Sequence, residues 1–167
     1  VWTEIGEGLQ VLKQVPSVRG AMLHLVLLYS LLAALYVLAL QLAALIESLG
    51  PSGFGALLAM SGVGMAIGAV VIAQAGHRFS RRILSATGLG TITWTLVLLS
   101  QLRGSLVFTL SLCGILGVGA ALVAIPAQTT IQEETPESER GRVFGLQNTL
   151  INIALSLPLV LAGTLVS

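Results

Sequence analysis

An all-α bundle of about five membrane-spanning helices is the fold class this sequence predicts, and three observations predict it. Only 9% of the 167 residues are charged and 55% are apolar, against roughly 25% charged residues in ordinary soluble domains. A water-soluble fold of this length could not cover itself with polar surface. Asp, Glu, Lys and Arg are absent from five windows, 20–46, 48–77, 83–102, 104–132 and 143–167, each at least 20 residues long. None of these windows alternates in polarity over about 10 residues as barrel strands do, so each satisfies its backbone as a helix.

A helix rises about 1.5 Å per residue and the hydrocarbon layer is roughly 30 Å thick, so about 20 apolar residues cross it. The predicted spans are 21–46, 54–75, 83–101, 106–127 and 143–166. Residues 1–19 form a cytoplasmic linker or surface helix, and 20–167 the transmembrane bundle. The chain opens on Val1 and stops directly after an uncharged stretch, which predicts a piece of a larger protein.

In the first segment Ile5, Leu9 and Leu12 fall at helical spacing until Pro16 interrupts the pattern. A short helix on the membrane surface fits this spacing. A flexible linker stays open as well, because Gly6 and Gly8 each cost a helix roughly 1 kcal/mol relative to Ala. His24 lies one turn inside the first span, where it serves as an interfacial packing residue or a proton relay, and Gln41 lies towards its end. The cluster Ser48-Leu49-Gly50-Pro51-Ser52-Gly53 then predicts a tight helical hairpin.

The second span is rich in small residues. Gly64 with Gly68, Gly62 with Ala66 and Gly55 with Ala59 are spaced by four, the pattern that lets two backbones approach closely in lipid. Such a face serves static packing or lets helices slide past one another. Gln74 ends this span, and Trp94 stands in the middle of the third. Pro126 and Gln128 sit at the end of the fourth, and Asn148, Asn152 and Pro158 lie in the fifth.

Lys13, Arg19, Arg78, Arg81, Arg82, Arg140 and Arg142 fall on one side of the predicted spans, with Arg103 alone opposite. Basic residues are retained on the cytoplasmic side. This places the N-terminus inside and Ser167 outside a cell (inner or plasma) membrane crossed several times, with the lipid bilayer as the main partner. No basic run with interleaved aromatics occurs, which argues against nucleic acid. The single cysteine, Cys113, excludes an internal disulfide and a cysteine metal cluster.

Between the fourth and fifth spans, Thr135 suits an N-cap, Pro136 a first helical position, and Glu137 and Glu139 the positive end of a helix. A helix is predicted to start there. Glu133, Glu134, Glu137 and Glu139 beside Arg140 and Arg142 read as a solvated ion-pair network facing the loop of Arg78 to Arg82, in preference to a metal site.

Two loops carry a family resemblance. Gly76-His77-Arg78-Phe79-Ser80-Arg81-Arg82 resembles a degenerate copy of the Gly-x-x-x-Asp-Arg-x-Gly-Arg-Arg loop of the major facilitator superfamily. Arg78, Arg81 and Arg82 match, whereas His77 replaces the acidic residue, Ser80 the second glycine and Ala73 the first. The segment from Thr135 through Arg140-Gly141-Arg142-Val143, with Pro126-Ala127-Gln128 before it, resembles the Thr-Pro-x-x-x-Arg-Gly-Arg-Val loop of that superfamily's drug- and siderophore-exporter branch.

The resemblance covers the whole chain. It implies the C-terminal half of a twelve-helix transporter, spans seven to eleven, without the N-terminal half and the final helix. It also implies that His77, Arg78, Arg81, Arg82, Arg140, Gly141 and Arg142 belong to cytoplasmic gate loops. A histidine at position 77 cannot supply the carboxylate that the family uses to hold one conformation closed.

Polar side chains in lipid face a bundle interior or a cavity. Trp94, Gln128, Asn148 and Asn152 are therefore candidates for a substrate path, with hydrogen bonding between helices as the other reading. Gly62, Gly64 and Gly68 are the candidates for helix packing. No Asp or Glu occurs within a predicted span, and Glu47 closes the first, so an ionisable coupling group is expected in the other half. No cofactor or metal is implied. The resemblance implies a secondary transporter exporting a small apolar or amphipathic molecule by alternating access. A structural or assembly subunit fits the composition as well. A membrane-embedded enzyme would need a cluster of carboxylates, histidines or cysteines at the membrane face, and none is evident.

Overall fold

The computed structural model describes residues 12–45, 53–101 and 106–166, with side chains omitted at 37–45, 53–54, 75, 77 and 157–166. Five long helices follow one another: α1 (Pro16–Leu45), α2 (Gly53–Ala75), α3 (Arg81–Gln101), α4 (Leu106–Glu134) and α5 (Arg140–Val166). Single 3-10 turns at Gly76–Arg78 and Glu137–Glu139 separate α2 from α3 and α4 from α5. There is no strand among the described residues. The chain is therefore a helical membrane bundle. Among the described residues, α1 to α4 each contain a stretch long and apolar enough to cross a bilayer, and α5 is 27 residues long.

The helices overrun the predicted spans at the charged ends. α1 starts at Pro16 rather than Ala21, α4 continues to Glu134 beyond Ala127, and α5 starts at Arg140 rather than Val143. A search for uncharged residues finds the part of a helix inside hydrocarbon. The helix itself runs on into the headgroup layer, where charge is tolerated. At about 1.5 Å per residue, the 29 residues of α4 reach well beyond a layer roughly 30 Å thick.

Pro16 suits the first turn of α1, since its missing N–H has no intrahelical partner there. Leu12 and Val18 both join the core, so the chain is already packed against the bundle on either side of Pro16. The surface-helix reading for the rest of the leader, the 48–53 turn up to residue 52, Arg103, Glu47 and the side chains of Gln41 and Pro158 lie outside the described residues. Within α3, Thr91 and Thr95 donate to the carbonyls one turn back at 2.9 Å and 2.7 Å. Their hydroxyls are thereby satisfied inside an apolar helix.

α4 is the hub of the bundle. Half of its apolar span is buried, against 17% for α2, and it packs on α2, α3 and α1, while α5 packs mainly on α1. Lipid tails are as apolar as leucine, so burial alone gives helices no reason to associate and close packing must do it. Glycines supply that closeness. A Cβ added at Gly64 would stand 2.8 Å from the carbonyl carbon of Gly114, and one at Gly68 would stand 2.7 Å from Cβ of Ala121. From the other side, a Cβ on Gly117 would meet the backbone of Ser61 and Met65. At the α3–α4 contact, a Cβ on Gly88 would come within 2.7 Å of the Gly119 carbonyl oxygen. Gly62 lies off this seam, with nothing within 4 Å of its Cβ direction.

Adding one carbon therefore has opposite effects at different glycines. Gly64→Ala is expected to destabilise the protein by about 1–3 kcal/mol through overpacking against backbone. Gly90→Ala, which meets nothing within 4 Å, is expected to be neutral or slightly stabilising through helix propensity. Reversible unfolding of both variants in mixed detergent micelles checks the difference.

Candidate functional site

Five helix termini converge on one end of the bundle: the starts of α1, α3 and α5 and the ends of α2 and α4. α2 closes in the Gly76–Arg78 turn, where the Gly76 carbonyl accepts from the Phe79 N–H at 3.3 Å. Ser80 then caps α3. Its Oγ accepts from the Ile83 N–H at 3.3 Å and its carbonyl from the Leu84 N–H at 3.1 Å. This makes Arg81 and Arg82 the opening residues of α3, at the positive end of the helix dipole. Glu133 and Glu134 close α4 at the negative end of its dipole. Both pairs of charges oppose the dipole on which they sit.

Cross-bracing offsets this conflict. Arg81 donates to a Glu133 carboxylate oxygen at 2.6 Å and to Thr130 Oγ1 at 3.4 Å, and Ser17 donates to Glu134. The last turns of α4 are thus tied to α3 on one side and α1 on the other. The Arg81 and Glu133 side chains are 43% and 58% exposed, so the pair contributes only about 0.2–1 kcal/mol. It is a fastening that opens readily. Pro126 precedes this segment within α4 and deprives the carbonyl one turn back of its donor, while Thr130 donates to the Pro126 carbonyl at 2.9 Å.

The α4–α5 connection departs from its sequence reading. The helical start moves one residue along: Pro136 takes the cap position of the 3-10 turn and makes no side-chain cap bond. Thr135 Oγ1 is buried without a hydrogen-bond partner among the described residues. Glu139 pairs with Arg142 at 2.8 Å and Glu137 with Arg140 at 3.7 Å, each three residues apart. Of the four glutamates expected to face the Arg78 to Arg82 loop, Glu133 does so through Arg81. Glu137 and Glu139 find their arginines within their own turn, because three-residue spacing is shorter than any path across the bundle.

The other candidates are dispersed. Arg78, Arg82 and Gly141 are exposed at the basic end, and His77 lies in the Gly76–Arg78 turn with its side chain outside the described residues. Trp94 is 67% exposed on the outer face of α3, and Asn148 and Asn152 are exposed on α5. Gln128 is half-buried and accepts from Nε2 of Gln147 at 3.1 Å. Gln147 is itself buried, and its Oε1 has no partner. The sequence reading passed over Gln147, although it directly precedes Asn148. It also passed over Ser85 and Thr130, of which Thr130 is signalled by standing one turn after Pro126, and it named Ser80 as a loop position but not as the cap of α3.

Two cavities flank α1 and α4. One of about 570 Å³ opens at the basic end between α1, α3 and α4, with Arg81, Arg82, His24 and Ser85 in its wall. A second of about 430 Å³ lies between α1, α2 and α4, and its wall is apolar except for Tyr29, Tyr36, Ser61 and Cys113. Gly62 lines this second cavity.

For the cross-brace, a double-mutant cycle of Arg81→Ala and Glu133→Ala is expected to give a coupling energy below about 1 kcal/mol that falls as salt is raised. Unfolding in mixed micelles at low and high ionic strength measures it.

Comparison with known proteins places these features in a family context. A family model described as Major Facilitator Superfamily matches residues 2–167. Searches of curated proteins and of solved structures returned no match.

Proposed function

The chain belongs to the Major Facilitator Superfamily, whose members are membrane transporters, and from that premise we propose that it is part of a secondary active exporter of a small apolar or amphipathic molecule. The apolar cavity between α1, α2 and α4 carries the substrate class. Its wall offers leucines with the hydroxyls of Tyr29, Tyr36 and Ser61, and no Asp, Glu, Lys or Arg. A charged solute would leave its water there without a compensating partner, which is costly. An apolar solute with one or two hydrogen-bonding groups loses little.

Three further assignments rest on the sequence. The basic end faces the cytoplasm by the positive-inside pattern. The Thr135 to Val143 segment supports the C-terminal half of the transporter and the exporter branch, and hence the direction. Residues 1–19 join this bundle to the N-terminal half, which closes the open sides of the cavity and moves against it in alternating access. In that arrangement the loops bearing His77, Arg78, Arg81, Arg82, Arg140, Gly141 and Arg142 form the cytoplasmic gate.

Flux of an amphipathic fluorescent dye through the full-length protein in sealed vesicles tests this reading. Gly62→Trp projects into the apolar cavity from a position with nothing within 4 Å, and is expected to lower the initial rate several-fold while leaving the melting temperature unchanged. Gly90→Trp, away from the cavity, is expected to transport normally. Inside-out vesicles should accumulate the dye. Accumulation only in right-side-out vesicles overturns export, and flux equal to that of empty vesicles overturns transport of this substrate class.

A further inference from the structure

The basic-end cavity has a composition unlike that of the apolar cavity, and it lies where the helices leave hydrocarbon. Its wall brings together Arg81 and Arg82 from the first turn of α3, Ser85 one turn further on, and His24 from α1. The first turn of α3 contains no acidic residue, so the one carboxylate paired there comes from another helix, Glu133 on Arg81, and Arg82 is left over. Ser85 gives an independent sign. It is only 2% exposed and lines the cavity, yet its hydroxyl has no hydrogen-bond partner among the described residues. Thr87, Thr91 and Thr95 on the same helix all donate to backbone carbonyls. The Ser85 hydroxyl keeps access to the cavity, where a ligand can complete it.

We propose that this cavity binds a phosphate group. Arg82 and His24 also have no partner among the described residues, so two cationic or donor groups and one hydroxyl converge on the space beside a helix N-terminus. That is the donor set a multi-oxygen anion requires. Glu134 is the one carboxylate in the described wall. It accepts from Ser17 and Arg81 is held by Glu133, which leaves Arg82 as the arginine of the wall with no carboxylate on it among the described residues. A volume of about 570 Å³ accommodates a glycerophosphate headgroup. The phosphate belongs either to an anionic membrane lipid or to a soluble phosphate.

The test uses purified full-length protein in a neutral detergent, with dioleoylphosphatidylglycerol and inorganic phosphate as separate probes. Thermal unfolding and native mass spectrometry report binding. A shift with the lipid alone assigns the site to a lipid headgroup, and a shift with both probes assigns it to phosphate in general. In either case Arg82→Gln and Ser85→Ala are expected to weaken binding about tenfold. Arg78→Gln, exposed and outside the cavity wall, is expected to bind as the parent does. The site is overturned if neither probe shifts the protein, if Arg82→Gln and Ser85→Ala bind normally, or if Arg78→Gln weakens binding as much, since that outcome reports general attraction between charges.

Discussion

Close approach of α2 and α3 to α4 is the interaction on which the rest of this structure depends. In water the burial of Leu116 or Ile92 would hold helices together. In lipid the same side chains gain little by exchanging lipid neighbours for protein ones, and association rests on dispersion between well-fitted surfaces. The glycines at 64, 68, 88, 114, 117 and 119 bring backbone against backbone at two seams of α4. This fixes α4 as the hub and sets where its overhanging end emerges. The polar features of the basic end follow from that placement, because Thr130, Glu133 and Glu134 all ride on the last turns of α4.

At that end, electrostatics works against each helix singly and in favour of the pair. Arginines at the start of α3 and glutamates at the end of α4 are misplaced with respect to their own dipoles, and each relieves the other across the gap. A fastening of this kind holds only while the two ends stay adjacent. It differs from the Glu139–Arg142 pair, which is local to one turn and survives any relative movement of the helices. The glycine seams and the local pairs therefore make the rigid part of the assembly, and the Arg81–Glu133 contact makes the releasable part.

The helices were legible in the sequence because hydropathy reports the solvent directly. Their ends were not, because charge marks the edge of hydrocarbon and not the end of the helix, as α4 running past Ala127 to Glu134 illustrates. Gly64 and Gly68 could be read as a packing pair from their spacing alone. Their counter-surface could not: Gly114, Gly117 and Ala121 make sense only once the facing helix is known. The same limit applies to Arg81, visible as part of a basic loop but not as a partner of Glu133, and to Gln128, whose partner Gln147 lies on the next helix. Thr135 failed as a cap for a different reason. Local propensity favoured it, but the packed turn buried its hydroxyl out of reach of the helix it would have capped.

The hub position of α4 also has a consequence in time. α1 meets α2 and α3 only sparingly, and all three are joined chiefly through α4. During synthesis from the N-terminal end, the first three helices enter the bilayer before the segment that unites them exists. Their glycine-bearing faces must then wait in lipid, exposed to unrelated helices, until Glu134 has been made. For this chain, the interval between insertion of α2 and insertion of α4 is the period of greatest vulnerability to misassembly and to capture by quality control.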